Sequence, residues 1–316
     1  MATKISAPQP RAASGARSRP RVPVVRHRFP AGASRCSCDH RHVQDGDHRR
    51  VQDGSLIARF GRARHDGSLA VLEGLHALKH ALRFGARVLE VVCSDAEQLD
   101  RLTAELAADV QPRVRALARA VDPAVFAQLA PWAPSTGVIS LAQRPALELA
   151  PVLADPRPAP LVLLEDPRDL GNIGACVRVA AAVDAAGVLT GGGHDPWHAD
   201  ALRGSAGLHY ALPVLRVDIR RALASGARPL LAVDPGGDPI APDALPPRAL
   251  LAFGGERYGL SDELSSRADA RISIPMRAGV SSLNLATSVA AVLFAWRLCR
   301  ETARAASPPS ASSRKG

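Results

Sequence analysis

Between residues 160 and 300 the chain repeats one pattern: a short, uninterrupted apolar run, a turn, then a helical segment. "LVLLE" (161–165) precedes "NIGACVRVAAAVDAA". "GVLT" (187–190), "ALPVLRV", "PLLAVD", "ALLAFG" and "ARISIP" follow with helical stretches between them, and "SLNLATSVAAVLFAWRLCRETARAA" closes the series. Strands that are apolar at every position, not at alternate ones, are buried on both faces. Alternation with helices therefore predicts a parallel sheet covered by helices on each side. Such sheets bind ligands beyond the carboxyl ends of their strands, so the loops after these runs are where chemistry is expected.

A shorter α/β series precedes this one. "LAVLEGLHALKHALRFGA" spaces Leu72, Leu75 and Leu82 as one helical face ending at Gly85, "RVLEVVC" (87–93) reads as a strand, and "DAEQLDRLTAELAA" as a second helix carrying Leu99, Leu102 and Leu106. Asp122-Pro123 opens a third helix, Asp as cap and Pro at the first position, and "TGVISLA" (136–142) reads as another strand. The organisation expected is a basic, disordered tail over 1–54, a small α/β domain over 55–142, a Pro- and Ala-rich linker over 143–159, the larger α/β domain over 160–304 and a second tail over 305–316. In the first tail "RHVQDG" (41–46) recurs as "RRVQDG" (49–54), too little for a repeat architecture.

The formal net charge of +10 resides in the ends: residues 1–60 carry 12 Lys+Arg against 4 Asp+Glu, whereas 61–300 carry 25 of each. Basic tails add salt-sensitive phosphate affinity, and any nucleic-acid site on the body must be a local patch. No apolar run approaches the roughly 18 residues of a membrane span. Five scattered cysteines argue against a disulfide framework and for a reducing cytoplasm. "CSCDHRH" (36–42) lacks zinc-site spacing, and no metal is expected.

Three strand-end loops hold unusual polar residues. "GNIGACVR" contains Asn172, a helix cap or a ligand-facing amide, and Arg178, a permanent charge inside an apolar helix that either pairs with a carboxylate or serves a site. "FGGERYGLS" (253–261) sets Glu256 among Gly254, Gly255 and Gly259. "IPMRAGVSSLN" (274–284) ends at Ser282 and Asn284, either of which can cap the last helix. Singly each has an ordinary structural reading; their order at the turns of one sheet gives them weight.

Together these segments resemble the three signature motifs of the SpoU (TrmH-like) family of SPOUT RNA methyltransferases, and "RGSAGLHYALPV" (203–214) is similar to the stretch between the first two. The resemblance covers about 160–300 and, more weakly, 64–142, where "GSLAVLEG" after Arg64 looks like the opening of that family's ribosomal-protein-like RNA-recognition domain. It implies a trefoil-knotted parallel-sheet domain preceded by a small α/β RNA-recognition domain, a homodimer whose interface helps form the site, and S-adenosylmethionine (AdoMet) held by backbone and apolar contacts at Gly254, Gly259, Ile274 and Leu283. It implies methyl transfer to a ribose 2′-hydroxyl of RNA, rRNA before tRNA because of the extra domain, with Asn172, Arg178, Glu256, Ser282 and Asn284 in the catalytic positions. Two departures stand out. The usual Asp-Pro-x-Asn is Asp169-Leu170-Gly171-Asn172, and a frequent His-Gln-Gly is Ser135-Thr136-Gly137. A non-catalytic RNA-binding factor on the same fold is the alternative. A nucleotide-dependent oxidoreductase is disfavoured, because "LTGGGHDPW" (189–197) lacks the G-x-G-x-x-G spacing.

Overall fold

The computed structural model describes residues 53–306; the "CSCDHRH" segment, nearly all of the first tail and most of the second lie outside them. Helix α1 (residues 53–63) seats Leu56 and Phe60 in the core. Four strands follow, β1 (Leu69–Glu73), β2 (Val88–Cys93), β3 (Ala118–Ala120) and β4 (Val138–Gln143), in the sheet order β1-β4-β2-β3. Helices α2 (Leu75–Arg83), α3 (Ala96–Leu106), α4 (Gln111–Leu117) and α5 (Pro123–Phe126) lie between them. β4 is antiparallel to both neighbours, and β3 is parallel to β2.

The helix expected to carry Leu72 starts later. Leu72 belongs to β1, paired with Ser140, and α2 begins only at Leu75. Gly74 turns the chain at φ 92° and donates to the Val138 carbonyl, which ends the strand. With no side-chain cap at Gly74, the Thr136 hydroxyl accepts from the Leu75 amide at 3.0 Å. The Ser-Thr-Gly departure thus begins a helix.

The chain then forms α6 (Leu149–Ala154), inside the Pro- and Ala-rich connector, where Val152 and Leu153 are buried. Beyond it run β5 (Leu161–Leu164), α7 (Leu170–Ala182), β6 (Gly187–Thr190), α8 (Ala199–Gly204), β7 (Val214–Arg216), α9 (Ile219–Ala224), β8 (Leu230–Pro239), β9 (Leu250–Phe253), α10 (Asp262–Arg267), β10 (Ala270–Ser273) and α11 (Leu285–Ala306). The six strands form an all-parallel sheet in the order β10-β8-β9-β5-β6-β7. Every residue of β5, β6 and β9 is buried, which is why these runs show no polar alternation. The sheet order reverses direction after β5, so β5 and β9 bring the loops that follow them side by side. No helix among the described residues is long and apolar enough to cross a membrane.

Close backbone approaches set the packing around β5. Alanine at Gly174 would put its Cβ 2.8 Å from the Ser205 amide and 2.9 Å from Gly204 Cα, so the α7 glycine serves a neighbouring helix, not a ligand. The first sheet and α2 also meet α8 and the turn that follows it. Glu73, nearly inaccessible, takes Arg64 at 2.7 Å and Arg203 at 2.5 Å, and His80 Nδ1 lies 2.8 Å from the Ala206 carbonyl. Removing either arginine alone would leave a buried carboxylate short of a partner.

His209 gives a pH signature to this region. It is inaccessible, its Nε2 donates to the Pro196 carbonyl at 2.8 Å, and Nδ1 lies 2.7 Å from the Ser205 hydroxyl. Burial pushes its pKa down to about 4. A folded-state value below that of the unfolded chain means stability present above pH 6.5 and lost as pH falls towards 4, by about 2–3 kcal/mol. Denaturant midpoints at pH 7 and 4.5 are expected to differ accordingly, and His209→Gln is expected to flatten that difference. An unchanged difference in the variant would mean that His209 does not cause it.

Candidate active site

The loop after β5 begins with Asp166 in the left-handed region at φ 49°. Two glycines accommodate this turn. A Cβ at Gly192 would strike the Asp166 side chain, and one at Gly255 would lie 2.8 Å from the Asp166 carbonyl. The glycine run at 191–193 therefore supports the turn, and Gly255 brings the loop after β9 against it. Glu165 completes the seam, its carboxylate accepting from the Ser261 amide at 2.7 Å and the Ser261 hydroxyl at 2.6 Å. That hydroxyl caps α10 by accepting from Leu264.

Asp169, not Asn172, caps α7: its Oδ1 accepts from the Asn172 amide at 2.7 Å. The Asn172 side chain is thereby left to act elsewhere. Its Nδ2 donates to Glu256 Oε1 at 2.9 Å, and its Oδ1 accepts from Asn284 Nδ2 at 3.0 Å. Asn284 in turn caps α11, its Oδ1 accepting from the Ala286 amide at 2.9 Å and the Thr287 amide at 3.3 Å. Each amide is oriented by its neighbours: the carboxylate can only accept, so Asn172 must present its NH2 there and its oxygen to Asn284. Glu256 also accepts from the Arg168 amide at 2.9 Å and the Asp169 amide at 3.3 Å. It thus stands at the positive end of α7 and not on the helix that follows it in sequence. Burial pulls its carboxyl upward, but the hydrogen bonds from Asn172, Arg168 and Asp169 outweigh that and hold it below the usual carboxylate value. Three loops are so joined in one relay, Glu256–Asn172–Asn284, whose two side-chain links span 84 and 112 residues of sequence.

Beside the relay, beyond the ends of β8, β9 and β10, lies a cavity of about 620 Å³. Gly254, Gly259, Ile274 and Leu283 all line it, together with Phe253, Leu260 and Met276; Asp234, Glu256, Ser282 and Asn284 form its polar part. Gly254 faces the backbone of Gly259, and Gly255 and Gly259 exchange two backbone hydrogen bonds of 3.1 and 3.0 Å across the loop. Gly259 itself has φ 69°.

Arg178 does not join the relay within one chain. Six residues beyond Asn172, it lies about 120° round the helix and about 9 Å along it. Its side chain is exposed and has no carboxylate partner among the described residues. Its electrostatic neighbour is His76 of α2, whose pKa burial, Lys79 and Arg178 all push down. Cys176, on the buried side of α7, is no nucleophile: burial and the Glu256 charge raise its thiol far above neutrality. Among the described residues no group of three or more His, Cys, Asp or Glu could hold a metal.

A parallel-sheet α/β protein with a ligand cavity at the carboxyl ends of its strands and a fixed amide–carboxylate relay at the rim is the class that these features define. The profile of the SpoU rRNA Methylase family matches residues 159–294. A tRNA/rRNA methyltransferase of uncharacterised function from Mycobacterium bovis is 30% identical over 239 residues, 72% of this chain and 80% of that protein. The 23S rRNA (adenosine(1067)-2′-O)-methyltransferase of Streptomyces laurentii is 34% identical over 140 residues, 42% of this chain and only 52% of that enzyme, so the match spans about half its length. Among solved structures, the SpoU methyltransferase AviRb from Streptomyces viridochromogenes superposes with a TM-score of 0.63 at 25% identity, covering 81% of this chain and all of that one. Its complex with the cofactor AdoMet gives 0.65 at 24% identity. The chain belongs to the SpoU methylase family.

Proposed function

We propose that this protein transfers a methyl group from AdoMet to a ribose 2′-hydroxyl of ribosomal RNA. The observation that carries the reading is the Glu256–Asn172–Asn284 relay at the rim of the 620 Å³ cavity. A volume of that size suits a nucleoside-sized ligand. Its apolar wall of Phe253, Leu260, Ile274 and Leu283 suits an adenine, its polar rim suits charged groups, and Gly254 and Gly259 would hold the ligand by main-chain contacts. When bound, AdoMet supplies a methyl group already activated on a sulfonium.

The difficult partner is the hydroxyl, a poor nucleophile that barely ionises at neutral pH. The residues must therefore position it and stabilise the charge that grows on its oxygen. Arg178 cannot act as a base, since its pKa exceeds about 12; its guanidinium fork instead clamps a phosphate or the developing alkoxide. Asn284 and Asn172 hold the ribose with amides whose orientation Glu256 dictates, and Ser282 Oγ passes the departing proton to water. Because Arg178 is remote from the relay in one chain, the reading includes a homodimer in which Arg178 of the partner subunit completes each site. Phe294 and Leu298, one turn apart on α11 and 42% and 59% exposed, suit such an interface. The trefoil knot, the division into a small RNA-recognition domain (55–142) and a methyltransferase domain (160–304), and a cytoplasmic location belong to the same reading.

Calorimetry is expected to show AdoMet binding, and nucleotide-resolution ribose-methylation mapping with and without the gene is expected to lose one rRNA position. Absence of AdoMet binding overturns the enzyme in favour of an RNA-binding factor. A lost tRNA position overturns the substrate alone.

A further inference from the structure

Above the relay stands an aromatic residue that none of the roles above uses. Tyr258 is 78% exposed, at the tip of the loop closed by the Gly255–Gly259 bridge and two residues after Glu256. A lone exposed aromatic needs no explanation. Two further observations make this one different. The Arg168 and Arg257 guanidiniums flank its ring, their carbons 6.0 and 5.7 Å from the centroid. Arg168 meets only Asp166, in a long, exposed ion pair of 3.7 Å, and Arg257 has no carboxylate partner among the described residues. The loop is also held in place, because the Arg168 main chain donates to Glu256 and the Gly255–Gly259 hydrogen bonds fix both ends of the tip.

An aromatic ring beside two cations, one without a carboxylate partner and the other held only by a long, exposed ion pair, fits a nucleotide, with a base on the ring and phosphates on the guanidiniums. A ribose whose 2′-oxygen must meet an electrophile in line has to leave regular A-form stacking, and its base, or the next, then needs a surface to stack on. We infer that Tyr258, bracketed by Arg168 and Arg257, is the platform on which a base of the RNA substrate stacks while its ribose is held at the Asn172–Asn284 amides. This rests on the reading of the site as an RNA methyltransferase. It makes Tyr258 a positioning residue for the substrate and gives it no part in binding the methyl donor.

The test uses the full chain and in-vitro-transcribed, unmodified rRNA or tRNA, whichever the wild-type protein methylates. Tyr258→Ala is expected to raise KM for RNA by about tenfold to a hundredfold, the loss that removal of a base-stacking ring brings. Calorimetric AdoMet affinity should remain within about twofold of wild type, since the ring is outside that cavity's wall. Tyr258→Phe should recover most of the loss, because it keeps the face, and Tyr258→Leu should not, although it is as apolar. Arg168→Gln and Arg257→Gln should each reduce the salt dependence of RNA binding by about one released ion. Leucine rescuing as well as phenylalanine, or an unchanged KM in Tyr258→Ala, overturns the platform. So does dissociation of a dimer in sedimentation of Tyr258→Ala, which would make the ring a contact between copies. A wild-type protein that fails to bind AdoMet would instead overturn the reading of the site itself.

Discussion

Arg178→Ala is expected to slow single-turnover methyl transfer by about 10²–10³, the usual cost of removing one preorganised group that stabilises developing charge. AdoMet affinity should stay within about twofold, because Arg178 lies outside the cavity lining. The substitution is clean for a structural reason. Arg178 is exposed and holds no carboxylate partner among the described residues, so its removal orphans no buried charge and leaves the apolar face of α7 intact. Arg178→Lys should rescue little, since an ammonium lacks the planar fork. Turnover of Arg178→Ala within threefold of wild type would refute the role. A mixing experiment then asks which copy the arginine serves. In a hybrid of Arg178→Ala and Asn172→Ala protomers, sharing across the dimer leaves one site with both residues and restores activity. A site confined to one chain leaves none complete and restores nothing.

The sheet was legible from the chain because its central strands are buried on both sides. A strand such as Leu161–Leu164 has no polar position to confuse with a helix. The first four strands and their helices were harder. The apolar run at Leu69–Glu73 merges into the Leu75–Arg83 helix with a single glycine between them, and short apolar runs satisfy both periods. Helix α4 and strand β3 share the stretch 111–120, where arginines and alanines leave no clear stripe. In the site, the strand-end loops and the polar residues in them could be picked out, but not who meets whom. Nothing local says that Glu256 grips Asn172 across 84 residues, or that Glu165 grips Ser261 across 96. Those pairings come from β9 lying beside β5 in the sheet. Asp169 stands in the sequence only as the first residue of a motif whose proline is replaced by Leu170, and the structure makes it the cap that frees Asn172. Gly192 belongs to a glycine run without dinucleotide-binding spacing, and the Asp166 turn packed on it explains the glycine.

Two glycines of the cavity wall and a third outside it allow a graded experiment, with Gly254→Ala expected to be the severe member. Its Cβ would fall on the Gly259 carbonyl carbon and oxygen and the Leu260 amide, all main-chain atoms that cannot rotate away. The loop must open, and with it the Gly255–Gly259 bridge that shapes the cavity wall. AdoMet affinity should fall by about a hundredfold or more, as a rigid main-chain contact surface is displaced by about an ångström. The fold should persist, because the collision is confined to a surface loop beyond the buried strand β9. Gly259→Ala meets no atom within 4 Å but must hold φ 69°, so about 1–2 kcal/mol of backbone strain should weaken binding only about fivefold to thirtyfold. Asparagine there should be milder, being the side chain that best tolerates that region. Gly193→Ala, with open space and an ordinary φ, should change neither quantity. Calorimetry with AdoMet reads the affinities, and thermal unfolding followed by circular dichroism reads the fold. If Gly254→Ala bound AdoMet as tightly as Gly193→Ala, the loop after β9 could not be the wall that holds the donor, and the assignment of the cavity would fail with it.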